Sequence, residues 1–204
     1  KMLEIIIFLL SICQSVFGVG LLVIGTPLLL LLDYNFLSLL KTLLPCSILI
    51  SIFQIINSKP IIKSEKKIIY IALPHVFLGI LILYFFNSII NFKLIVGFAI
   101  LLSFFLRFFL RKKLNLFINK KKVIAMCFAG LFHGLTNTGG SLISLIFQEL
   151  KNSKVKIQIN IAYTYFYFAL IQYTSLNFFE GRVLFDYENL KLLLLATFGY
   201  LVGI

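Results

Sequence analysis

From Ile5 to Leu32 the chain carries no charged residue, a run of twenty-eight. A second run, Val123 to Gln148, has no Asp, Glu, Lys or Arg either. Stretches of this kind constrain the fold more than any other feature, because about 20 apolar residues in a helix cover the roughly 30 Å hydrocarbon core of a bilayer. As one straight helix the first run would measure about 42 Å, too long for that core without strong tilt. Its middle carries Gly18, Gly20, Gly25 and Pro27. Glycine lowers helix propensity and proline removes an internal hydrogen bond, so an interruption is expected there. The second run is interrupted at Asn137-Thr138-Gly139-Gly140. Ordinary spans are expected at about 37–56, 67–87, 92–110, 157–178 and 189–204.

Composition agrees. Hydrophobic residues make up 61% of the 204, the mean hydropathy is +1.06, and the 13% charged residues sit in clusters between apolar runs. A water-soluble domain of this size could not cover so much apolar side chain, and the short alternating segments of a transmembrane barrel are missing. The expectation is an all-α polytopic membrane protein with the lipid bilayer as its surroundings. The net charge of +12 does not read as a nucleic-acid footprint, because the basic residues flank apolar segments. The N-terminus has no signal-peptide layout, since Glu4 follows Lys1 closely and the apolar run is far longer than an h-region. Cys13, Cys46 and Cys127 lie inside apolar runs without metal-ligand spacing and read as small buried hydrophobes. No metal or cofactor is expected.

The segments repeat. Gln14–Gly20 lines up with His133–Gly139 at an offset of 119, and Ala72–Ile80 with Ala196–Ile204 at an offset of 124. The chain therefore divides into a first repeat at 1–110, a basic linker at 111–122 and a second repeat at 123–204. Nothing in the second matches the span at 92–110, so a last helix is missing and the second repeat is expected to be C-terminally incomplete.

Each interrupted run could cross fully, giving parallel repeats, or re-enter as a hairpin, giving pseudo-symmetric inverted repeats. Charge favours the hairpins. They put the linkers 57–67, 111–122 and 149–156 on one face, with Lys59, Lys63, Lys66, Lys67, Arg111, Lys112, Lys113, Lys120, Lys121, Lys122, Lys151, Lys154 and Lys156. With Arg107 that face holds fourteen of the nineteen basic residues; Lys1, Lys41, Lys93, Arg182 and Lys191 go to the other, against five acids. Positive-inside insertion leaves such a split, which makes the basic linkers cytoplasmic, the N-terminus external and the location the plasma (inner) membrane.

Irregular backbone at membrane depth needs protein or a water-filled cavity to cover it, so the interruptions are expected to face each other near the midplane. Unpaired N–H groups at a helix break, with the positive end of the half-helix dipole, suit an anion, and glycine lets it come close. Candidate substrate ligands are Gln14, Gly18, Gly20, Gly25 and Thr26 in the first half. Their counterparts in the second are His133, Thr136, Asn137, Thr138, Gly139, Gly140 and Ser141. The same glycines equally suit close helix packing, with hydroxyls bonded back to the preceding turn. His75 has no positional argument, Lys41 and Arg107 read as interface anchors, and Tyr163 and Thr164 line a pathway or fill the bundle. No Asp or Glu falls within a full span, which leaves a carboxylate proton relay unsupported, and no nucleophile–base pair or phosphate loop suggests an enzyme.

Gly18-Val19-Gly20 followed by Pro27, Gly130–Gly140 in the second half, and Ala162-Tyr163-Thr164 after it together resemble the TauE/SafE family of sulfite-exporter-like permeases. The likeness spans nearly the whole chain. It departs at Leu21 and Leu22, where consecutive glycines are usual, and at Ile146, where the second proline would stand. The resemblance implies a secondary transporter exporting sulfite or small organosulfonate anions. A channel-like anion pore and a non-transporting scaffold subunit are the alternatives, and a homo-oligomer is compatible with each.

Overall fold

The computed structural model describes residues 1–57, 66–149, 153–181 and 187–204. The charge assignments at Lys59, Lys63, Lys151 and Arg182 lie outside the described residues. The described residues are all-helical: α1 (Met2–Phe17), α2 (Gly25–Leu31), α3 (Phe36–Ile56), α4 (Lys66–Phe86), α5 (Phe92–Phe108), α6 (Arg111–Thr136), α7 (Gly140–Glu149), α8 (Lys154–Glu180) and α9 (Tyr187–Val202). Asn35, Asn91 and Ser153 cap α3, α5 and α8 by accepting backbone N–H groups of the first turn. The segment 111–122, read as a linker, is helical. It forms the first part of α6 and ends at a kink, where Lys121 leaves helical geometry (φ −134°, ψ 44°).

α3 and residues 69–86 of α4 are long and apolar enough to cross a membrane, whereas α1 and the apolar part of α9 are shorter. Leu94, Phe98, Leu101 and Phe105 recur along α5 at helical spacing, and all four are exposed. Such a stripe suits hydrocarbon rather than water.

At the first interruption a Cβ on Gly25, the first residue of α2, would lie 3.0 Å from the Leu10 side chain of α1. One on Gly139 would lie 2.9 Å from the Ala129 carbonyl, and Leu142 and Ile146 of α7 share a cavity wall with Ala125 and Phe128 of α6. One end of the bundle is tied by ion pairs: Lys191 to Glu4 (2.8 Å), Lys41 to Glu180 (2.6 Å) and Lys93 to Asp33. The Lys93 ammonium holds the Asp33 carboxyl below the usual carboxylate range.

Glycine sets the tightest packing. α4 and α6 touch through Gly79 and Gly134, where an added Cβ would lie 2.5 Å from the Leu131 carbonyl or 2.3 Å from the Val76 carbonyl respectively. Backbone on both sides leaves nothing free to move. Gly134→Ala is therefore expected to lower thermal stability in detergent by about 1–3 kcal/mol or more, the usual cost of overpacking. Gly97→Ala is the control, because a Cβ there meets nothing within 4 Å. Equal melting temperatures for the two variants would contradict the packing assignment.

Candidate functional site

Each interrupted segment starts from a left-handed residue at a helix C-terminus. Gly18 (φ 76°) closes α1 and Asn137 (φ 59°) closes α6, each donating its N–H to the carbonyl four residues back, that of Gln14 or of His133. Both carbonyls also accept a glutamine side-chain amide, Gln54 Nε2 on Gln14 (2.7 Å) and Gln172 Nε2 on His133 (3.3 Å). Two residues beyond each cap, a glycine lies against the same part of the preceding helix. A Cβ on Gly20 would meet Gln14 N and the Leu10 carbonyl at 2.8 Å, and one on Gly139 would meet His133 Cβ at 2.6 Å and the Ala129 carbonyl at 2.9 Å. Leu10, Gln14, Gly18 and Gly20 thus have counterparts in Ala129, His133, Asn137 and Gly139, each 119 positions on.

The interruptions meet. Asn137 Nδ2 donates to Thr26 Oγ1 at 2.8 Å, and both residues are buried. Around that bond the hydroxyls form a short ladder, with Thr136 Oγ1 and Thr138 Oγ1 3.0 Å apart and Ser141 Oγ donating to Ser103 Oγ at 2.8 Å. Gly140 sits under Tyr165: a Cβ there would lie 1.6 Å from Tyr165 Oη and 2.7 Å from Val23 Cγ2. A cavity of about 480 Å³ opens beside the junction, between Val23, Ile24 and Pro27 on one side and Thr138, Ser141 and Ser144 on another. α5 closes it with Ser103 and Arg107.

Buried donors and acceptors without a partner occur together around the two helix breaks. Tyr165 Oη and Asn137 Oδ1 are buried without a hydrogen-bond partner at the junction, and Gln14 Nε2 is so at the end of α1, while the His133 ring interacts with the Gln172 side chain. Buried polar atoms normally have partners, so a cluster of exceptions marks a place where solvent or a solute completes the bonding. Among the described residues, no Asp, Glu, Lys or Arg is buried. Nor is there a group of three or more His, Cys, Asp or Glu able to hold a metal.

The expected residues fall into two groups. Thr26, Thr136, Asn137, Thr138, Gly139, Gly140 and Ser141 surround the junction, with His133 one turn before it, its ring 6.0 Å from that of Tyr165. Gln14, Gly18 and Gly20 gather at the end of α1, where Gln14 Oε1 accepts from Leu21 N (3.2 Å) and Gly18 faces Gln158. Gly25 packs against Leu10 and Leu43, so its contacts are with the apolar core. Lys41 is paired with Glu180, Tyr163 lies under the Lys66 ammonium at 4.6 Å, and Thr164 bonds back to the Asn160 carbonyl. Tyr165, Gln54, Gln172, Ser103 and Ser144 escaped the sequence reading, because none belongs to the helix breaks that drew attention. Arg107, read as an anchor, lines the cavity mouth and is exposed.

Residues 3–204 match the family model described as Sulfite exporter TauE/SafE. No curated protein matches, and no solved structure does. A model matched over essentially the whole chain shows the relationship: this chain belongs to the sulfite exporter TauE/SafE family of membrane transporters.

Proposed function

We propose that the protein exports small sulfur oxyanions, sulfite or an organosulfonate, as a secondary transporter. Its site lies where the two interrupted segments touch, and the observation that carries this reading is the buried Asn137–Thr26 bond, set among hydroxyls and beside the unpartnered Tyr165 Oη. An anion would accept from the donors there. Tyr165 and Thr26 offer hydroxyl protons and His133 one ring N–H, Thr136, Thr138 and Ser141 line the junction, Gly139 and Gly140 give the solute close approach to the backbone, and Gln14 stands farther along the path at the end of α1. An anion leaving the cell needs no coupling ion, because the membrane potential drives each negative charge outward by roughly 2.3 kcal/mol per 100 mV.

In this reading residues 1–110 and 123–204 are inverted repeats, each opening with a re-entrant hairpin, joined by the basic segment 111–122 at the cytoplasmic face of the plasma membrane. The contacts of Gly25 with Leu10 and of Gly139 with Ala129 support the hairpins, and the contacts recurring 119 positions apart support the repeat. A further correspondence does too: Gly79 packs on Leu131 and Gly134, while Gly203, 124 positions later, packs on Ile12 and Ser15.

Two measurements test the proposal. Sulfite efflux from vesicles is expected to saturate with internal concentration, whereas flux rising linearly without limit would indicate a pore. In a background without native cysteines, Asp33→Cys and Ser153→Cys are expected to react with an impermeant thiol reagent from opposite faces. Labelling from the same face would rule out the hairpins.

A further inference from the structure

The first part of α6 is the most basic segment of the chain and takes no part in the anion site proposed above. Arg111, Lys112, Lys113, Lys120, Lys121 and Lys122 fall within twelve residues, and no acid occurs anywhere in α6. Between the two basic clusters the helix is apolar. Ile118 is 1% exposed and docks on the bundle, while Leu116 and Phe117 are 63% and 43% exposed. A helix that buries one apolar residue in protein, shows others outward and ends in lysines on both sides is built to lie in a membrane interface. The kink at Lys121 is where it turns to continue into the bundle.

Against this helix lies a cavity of about 410 Å³, walled by Leu106, Phe117, Ile118, Ala125, Leu142 and Ile146 among others, all apolar. Among the described residues Lys113 is the one charged side chain in its lining, and it is exposed. The cavity is partly open, and its side chains offer no hydrogen-bonding partner for a polar solute beyond that ammonium. Hydrocarbon fits the interior and an anion fits the rim.

We propose that this cavity holds an acyl chain of an anionic phospholipid, whose phosphate is bound by Lys113 with Lys112 beside it. Juxtamembrane lysines attract anionic headgroups, and the acyl chain confines the lipid to one place. The bound lipid joins the end of α5, the interfacial helix and α7, elements that share the cavity wall. This site is independent of the transported anion and stands whether or not sulfite is the substrate.

The test uses the full chain in neutral detergent, titrated with phosphatidylglycerol, with phosphatidylcholine and with glycerol phosphate, binding being read by native mass spectrometry. Phosphatidylglycerol is expected to bind and to raise the melting temperature, the other two to do neither. Because each lysine near an anionic headgroup accounts for roughly a fivefold change, Lys112→Gln with Lys113→Gln is expected to weaken binding by about 30-fold. Phe117→Trp in a chain lacking other tryptophan places a reporter in the cavity wall. Its fluorescence is expected to be quenched by acyl-brominated phosphatidylglycerol in the Phe117→Trp protein, and the quenching lost when the two lysines are also changed. Equal binding of phosphatidylcholine, or quenching indifferent to the lysines, would overturn the proposal. Glycerol phosphate binding as tightly as the lipid would overturn it as well, by making this a site for free phosphate compounds. Dimerisation that buries Phe117 with no lipid bound would assign the face to a second copy and equally refute it.

Discussion

Gly140→Ala is expected to reduce sulfite efflux by roughly tenfold to a hundredfold, corresponding to an overpacking cost of about 1–3 kcal/mol at the site itself. The added methyl would lie 1.6 Å from Tyr165 Oη, 2.6 Å from Tyr165 Cζ and 2.7 Å from Val23 Cγ2. Tyr165 is fully buried, so its ring has no open space to enter, and the strain falls on the contact between the two interrupted segments. Compensation gives the sharper reading. Tyr165→Phe removes the hydroxyl but leaves the ring carbon, so it should relieve the Gly140→Ala defect only in part; Tyr165→Leu should relieve more of it. If Gly140→Ala transports normally with Tyr165 intact, the two residues are not in contact during transport.

The second large effect is expected from the Asn137–Thr26 bond. Asn137 holds φ 59°, which glycine adopts without strain, so Asn137→Gly removes the amide while keeping the backbone. The loss leaves Thr26 Oγ1 buried without its donor, a penalty of about 1–3 kcal/mol. Thr26→Ala removes the other partner. Each single variant should lower efflux by roughly tenfold, and the double variant should be no worse than the poorer single one, giving a coupling of about 0.5–3 kcal/mol. Strictly additive losses would mean that the residues act separately.

The helical fold was legible because charge punctuates it. The expected spans at 37–56, 67–87 and 92–110 correspond to α3, α4 and α5 within a residue or two. The helical state of 111–122 was not legible as such: six basic residues read as a solvated connection, and only Ile118, docked on the bundle, and the exposed Leu116 and Phe117 reveal an interfacial helix. The glycines and Asn137 drew notice because polar or helix-breaking residues are costly inside an apolar run. That Gly25 packs on leucines while Gly140 abuts Tyr165 could not be read from spacing, since both face partners far away in sequence. Gln54 and Gln172 were missed for a related reason. A single glutamine in an apolar helix carries no periodic signal, and its role as a second donor to a helix-terminal carbonyl emerges only when α1 meets α3 and α6 meets α8.

The central claim is that a small anion passes where Thr26 and Asn137 join the two halves. Its most direct test is sulfite release from reconstituted vesicles under an inside-negative potential, with wild-type protein beside Asn137→Leu at matched inserted amounts. Leucine fills the position, cannot donate to Thr26 and disfavours the left-handed backbone there. The expected result is saturable release by the wild type and release at the protein-free rate by the variant. Wild-type rates from a correctly inserted Asn137→Leu would contradict the account.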